Sequence, residues 1–144
     1  MIEPVKEVGE RRRQVTVLVG YIPGVLGDAA LQKGVEEARL RSSRLVVVNS
    51  ARGDAPLEPR RLPGDAADEL AARLTHSGID HEIESLVRPR EPADEILDAV
   101  ERHSAGLLVI GLRQRSPLGK LILGSTAQRL LLEARCPVLT VRYS

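Results

Sequence analysis

The chain has 144 residues, of which 28% are charged, and its formal net charge is +1. That length suits one hydrophobic core and is short for two domains. Because the chain is nearly neutral and contains no Phe or Trp, it lacks the basic field and the stacking rings that usually bind nucleic acid. Composition therefore argues against nucleic acid as the main partner.

The compartment follows from the first residues and from the cysteine count. Residues 1–14 form a charged, polar tail without the apolar stretch of a signal peptide. No apolar run reaches the roughly 18 residues that a membrane span requires. Cys136 is the only cysteine, which excludes an intramolecular disulfide and fits a reducing compartment, where a buried structural thiol is expected. We expect a tail, 1–14, followed by one cytoplasmic domain, 15–144.

Short apolar runs alternate with helix-like stretches along the domain. Runs rich in Val, Leu and Ile predict five strands, at 15–19, 45–48, 81–87, 107–110 and 138–142. Four intervening stretches predict helices at 28–41, 65–75, 92–103 and 126–134. This order predicts an α/β fold with an open parallel sheet. The first, second and fourth strands are uniformly apolar and are expected at its centre, with the third at an edge.

A basic, glycine-punctuated segment follows the fourth predicted strand. Residues 102–132 contain five Lys or Arg and no Asp or Glu. Ser125, with Gln128 three residues later, fits a capping box that begins the last helix just after Gly124. Since parallel sheets bind ligands beyond the carboxyl ends of their strands, and helix amino termini favour anions, the segment predicts a phosphate site. The alternative is an ordinary helix cap beside a charged, flexible loop.

Two familiar phosphate loops are absent from the sequence. The chain has no Gly-x4-Gly-Lys-Ser/Thr, and no Gly-x-Gly-x-x-Gly follows the first strand. His76, His81 and His103 lie far apart in sequence without a second ligand at metal spacing, so no metal site is predicted. Four arginines at the predicted ligand edge are either solvated, or support a phosphate or the acidic face of a partner: Arg60, Arg61, Arg88 and Arg90.

The carboxyl-terminal third closely resembles the universal stress protein family. The resemblance is carried by Val109-Ile110-Gly111, by Gly124-Ser125-Thr126-Ala127 and by Cys136-Pro137-Val138, which leads into the last strand. It implies a single domain of adenine nucleotide alpha hydrolase-like fold, with strand order 3-2-1-4-5 and helices on both faces. It also implies a homodimer through the last strand, 138–142.

The resemblance further implies that ATP or another adenine nucleotide binds through Gly-x2-Gly-x9-Gly-Ser/Thr, and it leaves open whether Mg²⁺ accompanies the nucleotide. In this chain Gly111 and Gly124-Ser125 match that motif, whereas Gln114 replaces the second glycine. Gly20 stands where ATP-binding members usually carry Asp at the end of the first strand. The implied binding residues are Gly20, Gly111, Arg113, Gln114, Arg115, Gly119, Lys120, Gly124, Ser125 and Thr126.

Three functions remain open on the sequence. The preferred one is a stress-response sensor or adaptor that binds an adenine nucleotide. The alternative is a nucleotide-free, dimeric interaction module, which Gln114 and Gly20 favour because they remove a flexible backbone position and a hydrogen-bond acceptor. A slow ATPase or nucleotidyl-transfer enzyme is a third possibility, although no catalytic base or nucleophile can be named.

Overall fold

The computed structural model describes residues 15–51, 60–113 and 123–143, without the side chains of Arg113 and Tyr143. The strands are β1 (Thr16–Gly20), β2 (Arg44–Ala51), β3 (His81–Val87), β4 (Ala105–Arg113) and β5 (Val138–Tyr143). The helices are α1 (Val25–Leu40), α2 (Gly64–Ser77), α3 (Pro92–Arg102) and α4 (Ser125–Glu133). The predicted number, type and order of elements are therefore confirmed. The amino-terminal tail lies outside the described residues.

The five strands form one parallel sheet in the order β3-β2-β1-β4-β5. The central strand β1 is flanked by β2 and β4, so that Val19 lies between Val47 and Val109. Thr16 to Val19 are all buried, whereas no residue of β3 is fully buried. The expected placement is confirmed: β1, β2 and β4 lie inside the sheet and β3 lies at an edge. Strands that are apolar along their whole length take central positions because both of their faces must be covered.

Alternate residues of each strand supply two separate cores. Val17 and Val19 face one side of the sheet, where they pack with α1 and α2. Leu18 faces the opposite side, where it packs with α3 and α4. Each fully buried Val or Leu side chain stabilises the fold by about 1.5–3 kcal/mol. The predicted helices on both faces are thus present.

Several element boundaries differ from the sequence prediction. Helix α1 begins at Val25 rather than 28, because Gly24 takes φ 115° and its carbonyl oxygen accepts a hydrogen bond from Asp28 N–H. Strand β2 continues to Ala51 instead of ending at 48, since it pairs with β3 beyond the end of β1. Strand β4 runs to Arg113 rather than 110, which places Gly111 inside the strand. These extensions bring polar residues to the carboxyl edge of the sheet.

No helix of the described ranges combines the length and the apolar character that a bilayer crossing requires.

Candidate functional site

A cavity of about 420 Å³ lies at the carboxyl edge of the sheet, where β1, β2 and β4 end. One wall is apolar, and it is formed by Pro92, Ile96, Ile110, Leu112 and Leu130. Polar side chains line other parts of the cavity: Tyr21, Ser50, Arg60, Ser125 and Thr126. A concave site of this size, with an apolar wall and a few polar groups, is typical of small-ligand binding.

The amino end of α4 forms one end of the cavity. The first hydrogen bond of the helix runs from Gln128 N–H to Gly124 O, at 3.0 Å. The amides of residues 125–127 therefore have no acceptor within the helix. In the described part of the chain, no side chain caps them. The helix begins just after Gly124, as predicted, but the predicted capping box is wrong: Gly124, with extended backbone, is the N-cap and Ser125 is the first helical residue. Uncapped amides and the helix dipole favour an anion here.

The two matching glycines of the motif play different roles. A Cβ on Gly111 would lie 2.7 Å from Leu26 Cγ and 2.8 Å from Leu26 O, so β4 needs glycine there to let α1 pack. Among the described residues, a Cβ on Gly124 would meet no atom within 4 Å, and its φ of −70° suits any residue. Folding therefore does not require glycine at position 124, whose missing side chain leaves the helix amides accessible from the cavity.

Gly20 lies at the end of β1, as predicted, and lines the cavity. A Cβ on Gly20 would come within 3.3 Å of Ile96 Cδ1 and 3.4 Å of Ile110 Cγ2. Glycine at this position thus lets two apolar side chains approach the end of β1. The cavity is therefore lined by apolar side chains at the end of β1, where the resemblance would place an aspartate.

Arg60 reaches the cavity from the segment after β2. Its Nη2 atom lies 3.5 Å from Thr126 Oγ1, which brings a guanidinium to the amino end of α4. The fully buried Asn49 fixes the backbone at Arg60, because its Nδ2 donates to Arg60 O at 2.6 Å and to Tyr21 O at 3.0 Å. Arg60 therefore adds positive charge where an anion would bind, whereas the exposed Arg61 does not line the cavity.

Arg88 and Arg90 do not line the cavity; they pair with α3. Arg90 Nη1 lies 2.8 Å from Glu95 Oε1 and 2.7 Å from Asp98 Oδ2, and Arg88 Nε lies 3.5 Å from Glu95 Oε2. The Glu95 side chain is only 3% exposed, and a buried carboxylate needs such partners. These two arginines pair with carboxylates of α3 and do not line the cavity proposed for a phosphate.

The remaining predicted site residues cannot be placed on this geometry. Gln114, Arg115, Gly119 and Lys120 lie outside the described residues, and Arg113 contributes only its backbone, at the end of β4. Gly20, Gly111, Gly124, Ser125 and Thr126 are the predicted residues that the structure brings together around the cavity.

The sequence analysis missed Ser50. Its Oγ is buried and, within the described residues, has no hydrogen-bond partner, yet Ser50 lines the cavity. Ser50 follows Val46 and Val48 at a spacing of two, and this alternation could have placed its side chain on their face of the sheet. The prediction ended the strand at residue 48 and so discarded that signal.

A second polar cluster lies away from the cavity. His103 Nε2 is 2.6 Å from Glu84 Oε2 and 3.9 Å from Glu82 Oε2, so the fold gives His103 the neighbouring carboxylates that the sequence did not indicate. Arg102 donates to both oxygens of Glu84. These bonds, and that from His103, lower the pKa of Glu84 to about 2 against the opposing effect of burial. The cluster ties β3 to the end of α3, and Arg102 compensates the charge of Glu84.

Cys136 is half-buried and packs against the core on the α3 and α4 side. Burial raises the pKa of its thiol, so the reactive thiolate is disfavoured. This fits the structural role that the sequence predicted for it.

A parallel sheet in the order 3-2-1-4-5, helices on both faces and a cavity at the carboxyl edge define an α/β protein of adenine nucleotide alpha hydrolase-like fold. The sequence model described as "Universal stress protein family" matches residues 15–142. The chain belongs to the universal stress protein family, as its carboxyl-terminal motifs predicted.

Similar proteins match over nearly the whole chain. A universal stress protein of Mycolicibacterium smegmatis is 43% identical over 126 residues, which are 88% of this chain and 96% of that protein. A solved universal stress protein from Archaeoglobus fulgidus is 32% identical with a TM-score of 0.66, covering 89% of this chain and 98% of the other. A structure from the same organism in complex with dAMP is 27% identical, with a TM-score of 0.60 over 89% and 97% of the two chains.

Proposed function

We propose that the protein binds an adenine nucleotide in this cavity, with ATP as its physiological ligand. The observation that carries the proposal is the uncapped amino end of α4 facing a cavity of about 420 Å³. Phosphate oxygens accept hydrogen bonds from such amides, and the apolar wall suits the faces of a base. The dAMP complex of the Archaeoglobus fulgidus relative supports the same ligand class.

The lining favours binding over turnover. Among the described residues that line the cavity there is no His, Cys, Asp, Glu or Lys, and Tyr21, the one described lining residue of a usual proton-transfer type, donates its hydroxyl to Asp28 Oδ1. This supports a stress-response sensor or adaptor whose nucleotide acts as a signal, in the reducing cytoplasm that the single cysteine fits. Since the described lining contains no carboxylate, the proposal leaves any Mg²⁺ to be held mainly by the phosphates themselves.

Arg60 provides the direct test of the phosphate end. We expect the parent protein to bind ATP by isothermal titration calorimetry, and Arg60→Ala to bind it about tenfold more weakly, a change of about 1.4 kcal/mol. Adenosine should lose much less, because it carries no phosphate. Arg61→Ala removes the same charge from the neighbouring, exposed position and should bind ATP like the parent.

Failure of the parent to bind ATP, ADP or AMP at physiological concentration would overturn the proposal and favour the nucleotide-free interaction module. Equal losses in Arg60→Ala and Arg61→Ala would instead show that only the general positive field matters. Nucleotide released from the purified protein by denaturation, identified by chromatography, gives an independent check.

We also propose that the protein forms a homodimer through β5, the free edge of the sheet. Leu108 N–H donates to Pro137 O, and successive strand residues direct their backbone groups to alternate sides, so Thr140 N–H faces the free edge. An uncovered, short apolar edge strand tends to pair with another chain.

Light scattering at tens of micromolar should therefore give the mass of a dimer. Thr140→Pro removes the outward N–H while leaving the pairing with β4, and should shift the protein to the monomer. Thr140→Val keeps the amide and should remain dimeric. A monomeric parent would contradict the proposed interface.

A further inference from the structure

The cluster between β3 and the end of α3 brings three metal-ligating side chains together. Glu82 and Glu84 lie two residues apart on β3, so their side chains share one face of the strand. His103 follows α3 as its C-cap residue. One ligand atom from each of the three residues lies within 4.8 Å of the other two. An imidazole nitrogen with two carboxylate oxygens is a donor set that Zn²⁺ accepts in proteins.

The distances within the cluster are close to those that a zinc ion requires. Ligand atoms about 2.0–2.2 Å from a tetrahedral Zn²⁺ lie roughly 3.3–3.6 Å from one another. The His103 Nε2 atom lies 2.6 Å from Glu84 Oε2 and 3.9 Å from Glu82 Oε2. Shifts of about 1 Å or less would therefore open the first pair and close the second around one ion.

The surroundings of the three side chains favour a bound cation. The side chains of His103 and Glu84 are only 11% and 13% exposed, whereas Glu82 is more exposed and gives access from solvent. Arg44 Nη2 lies 3.1 Å from Glu82 Oε1, and the other oxygen of this carboxylate faces His103. The carboxyl end of α3 also favours positive charge, because the helix dipole is negative there.

We propose that Glu82, Glu84 and His103 form a Zn²⁺ site that joins the edge strand β3 to the end of α3. No residue of β3 is fully buried, so a metal bridge would stabilise a strand that has little core packing. The imidazole selects Zn²⁺ over Mg²⁺ and Ca²⁺, which prefer oxygen ligands. None of the three residues lines the nucleotide cavity, so the site does not depend on the proposed function.

Arg102 competes with the ion for Glu84. Its Nη1 donates to Glu84 Oε2 at 3.2 Å, and its Nη2 donates to Oε1 at 2.9 Å. The guanidinium thus supplies positive charge at the same oxygen that faces His103. Removal of this charge should strengthen zinc binding, whereas it should weaken the metal-free fold, because the carboxylate of Glu84 then loses its partner.

The experiment titrates ZnCl₂ into the full chain, freed of metal by a chelator, and follows binding by calorimetry. We expect one Zn²⁺ per chain and a higher melting temperature in its presence. His103→Gln and Glu82→Gln should each weaken binding by at least about tenfold, since loss of even an outer partner of a metal ligand costs about 10–100-fold. Arg102→Gln should bind Zn²⁺ about fivefold more tightly and melt at a lower temperature without it.

Two controls test whether the ion is specific to this cluster. His81→Gln removes an imidazole from the opposite face of β3, the face of Ile83, and should bind Zn²⁺ like the parent. Mg²⁺ should bind the parent far more weakly than Zn²⁺ does. Equal affinity for the two ions would show only general attraction to carboxylates and would refute the site.

Other results would also overturn the assignment. A parent that does not bind Zn²⁺ at millimolar concentration would leave the cluster as an ion-pair link between β3 and α3. Parent-like binding by both His103→Gln and Glu82→Gln would place the ion elsewhere. Unchanged or weaker binding by Arg102→Gln would show that the ion does not share Glu84 with the guanidinium.

Discussion

Gly124→Asp is expected to weaken ATP binding about 100-fold or more, the largest change we expect from a single substitution at the cavity. The aspartate carboxylate would accept the hydrogen bonds of the α4 amides and occupy the place proposed for the phosphate. A 100-fold loss corresponds to about 2.8 kcal/mol. Calorimetric titration of ATP into the variant and the parent measures it.

Stability and charge controls separate this effect from damage to the fold. A Cβ at position 124 meets no atom of the described residues within 4 Å, and Asp is a favourable N-cap, so the melting temperature should hold or rise. Gly124→Asn caps the helix without the negative charge and should lose less affinity than Gly124→Asp. Gly64→Asp adds the same charge at the start of α2, again in open space, and should leave ATP affinity unchanged. Undiminished binding by Gly124→Asp would place the nucleotide elsewhere.

Gly27→Ala is expected to cause the largest loss of stability, about 3 kcal/mol or more in the free energy of unfolding. A Cβ on Gly27 would overlap the carbonyl oxygen of Ile22 and lie 2.8 Å from its carbonyl carbon. Since the obstacle is backbone, the segment between β1 and α1 must move, and overpacking of this kind is costly. Thermal unfolding should show a decrease of about 10 °C in Tm.

The matched control is Gly64→Ala. Gly64 also lies in the first turn of a helix, but in the described ranges a Cβ there meets no atom within 4 Å. Alanine should therefore be neutral or stabilise slightly, through reduced entropy of the unfolded chain. A Gly27→Ala variant as stable as Gly64→Ala would show that the close approach of Ile22 to Gly27 is not needed by the fold.

The alternating elements could be predicted because their signals are local. The four consecutive buried residues of β1 belong to a short apolar run in the sequence. The end of α2 is marked by Gly78, which takes the αL conformation there. Strand order came from resemblance to a family, since the apolar character of β1, β2 and β4 fixes only that they are central. Boundaries were less accurate where polar residues, such as Asn49 and Ser50, continue a strand toward a site.

The amino-acid sequence by itself determined that this is a small α/β protein, and it predicted an anion site after the fourth strand, because periodicity and motif spacing are properties of adjacent residues. Only the tertiary structure decided which residues face the cavity. Arg60 meets Thr126 across 66 positions, whereas Arg88 and Arg90 turn to Glu95. Gly111 lets α1 pack closely on β4, whereas the described surroundings of Gly124 would leave room for a side chain. The physical reason is that a side chain's role depends on partners brought together by the sheet, which no local pattern specifies.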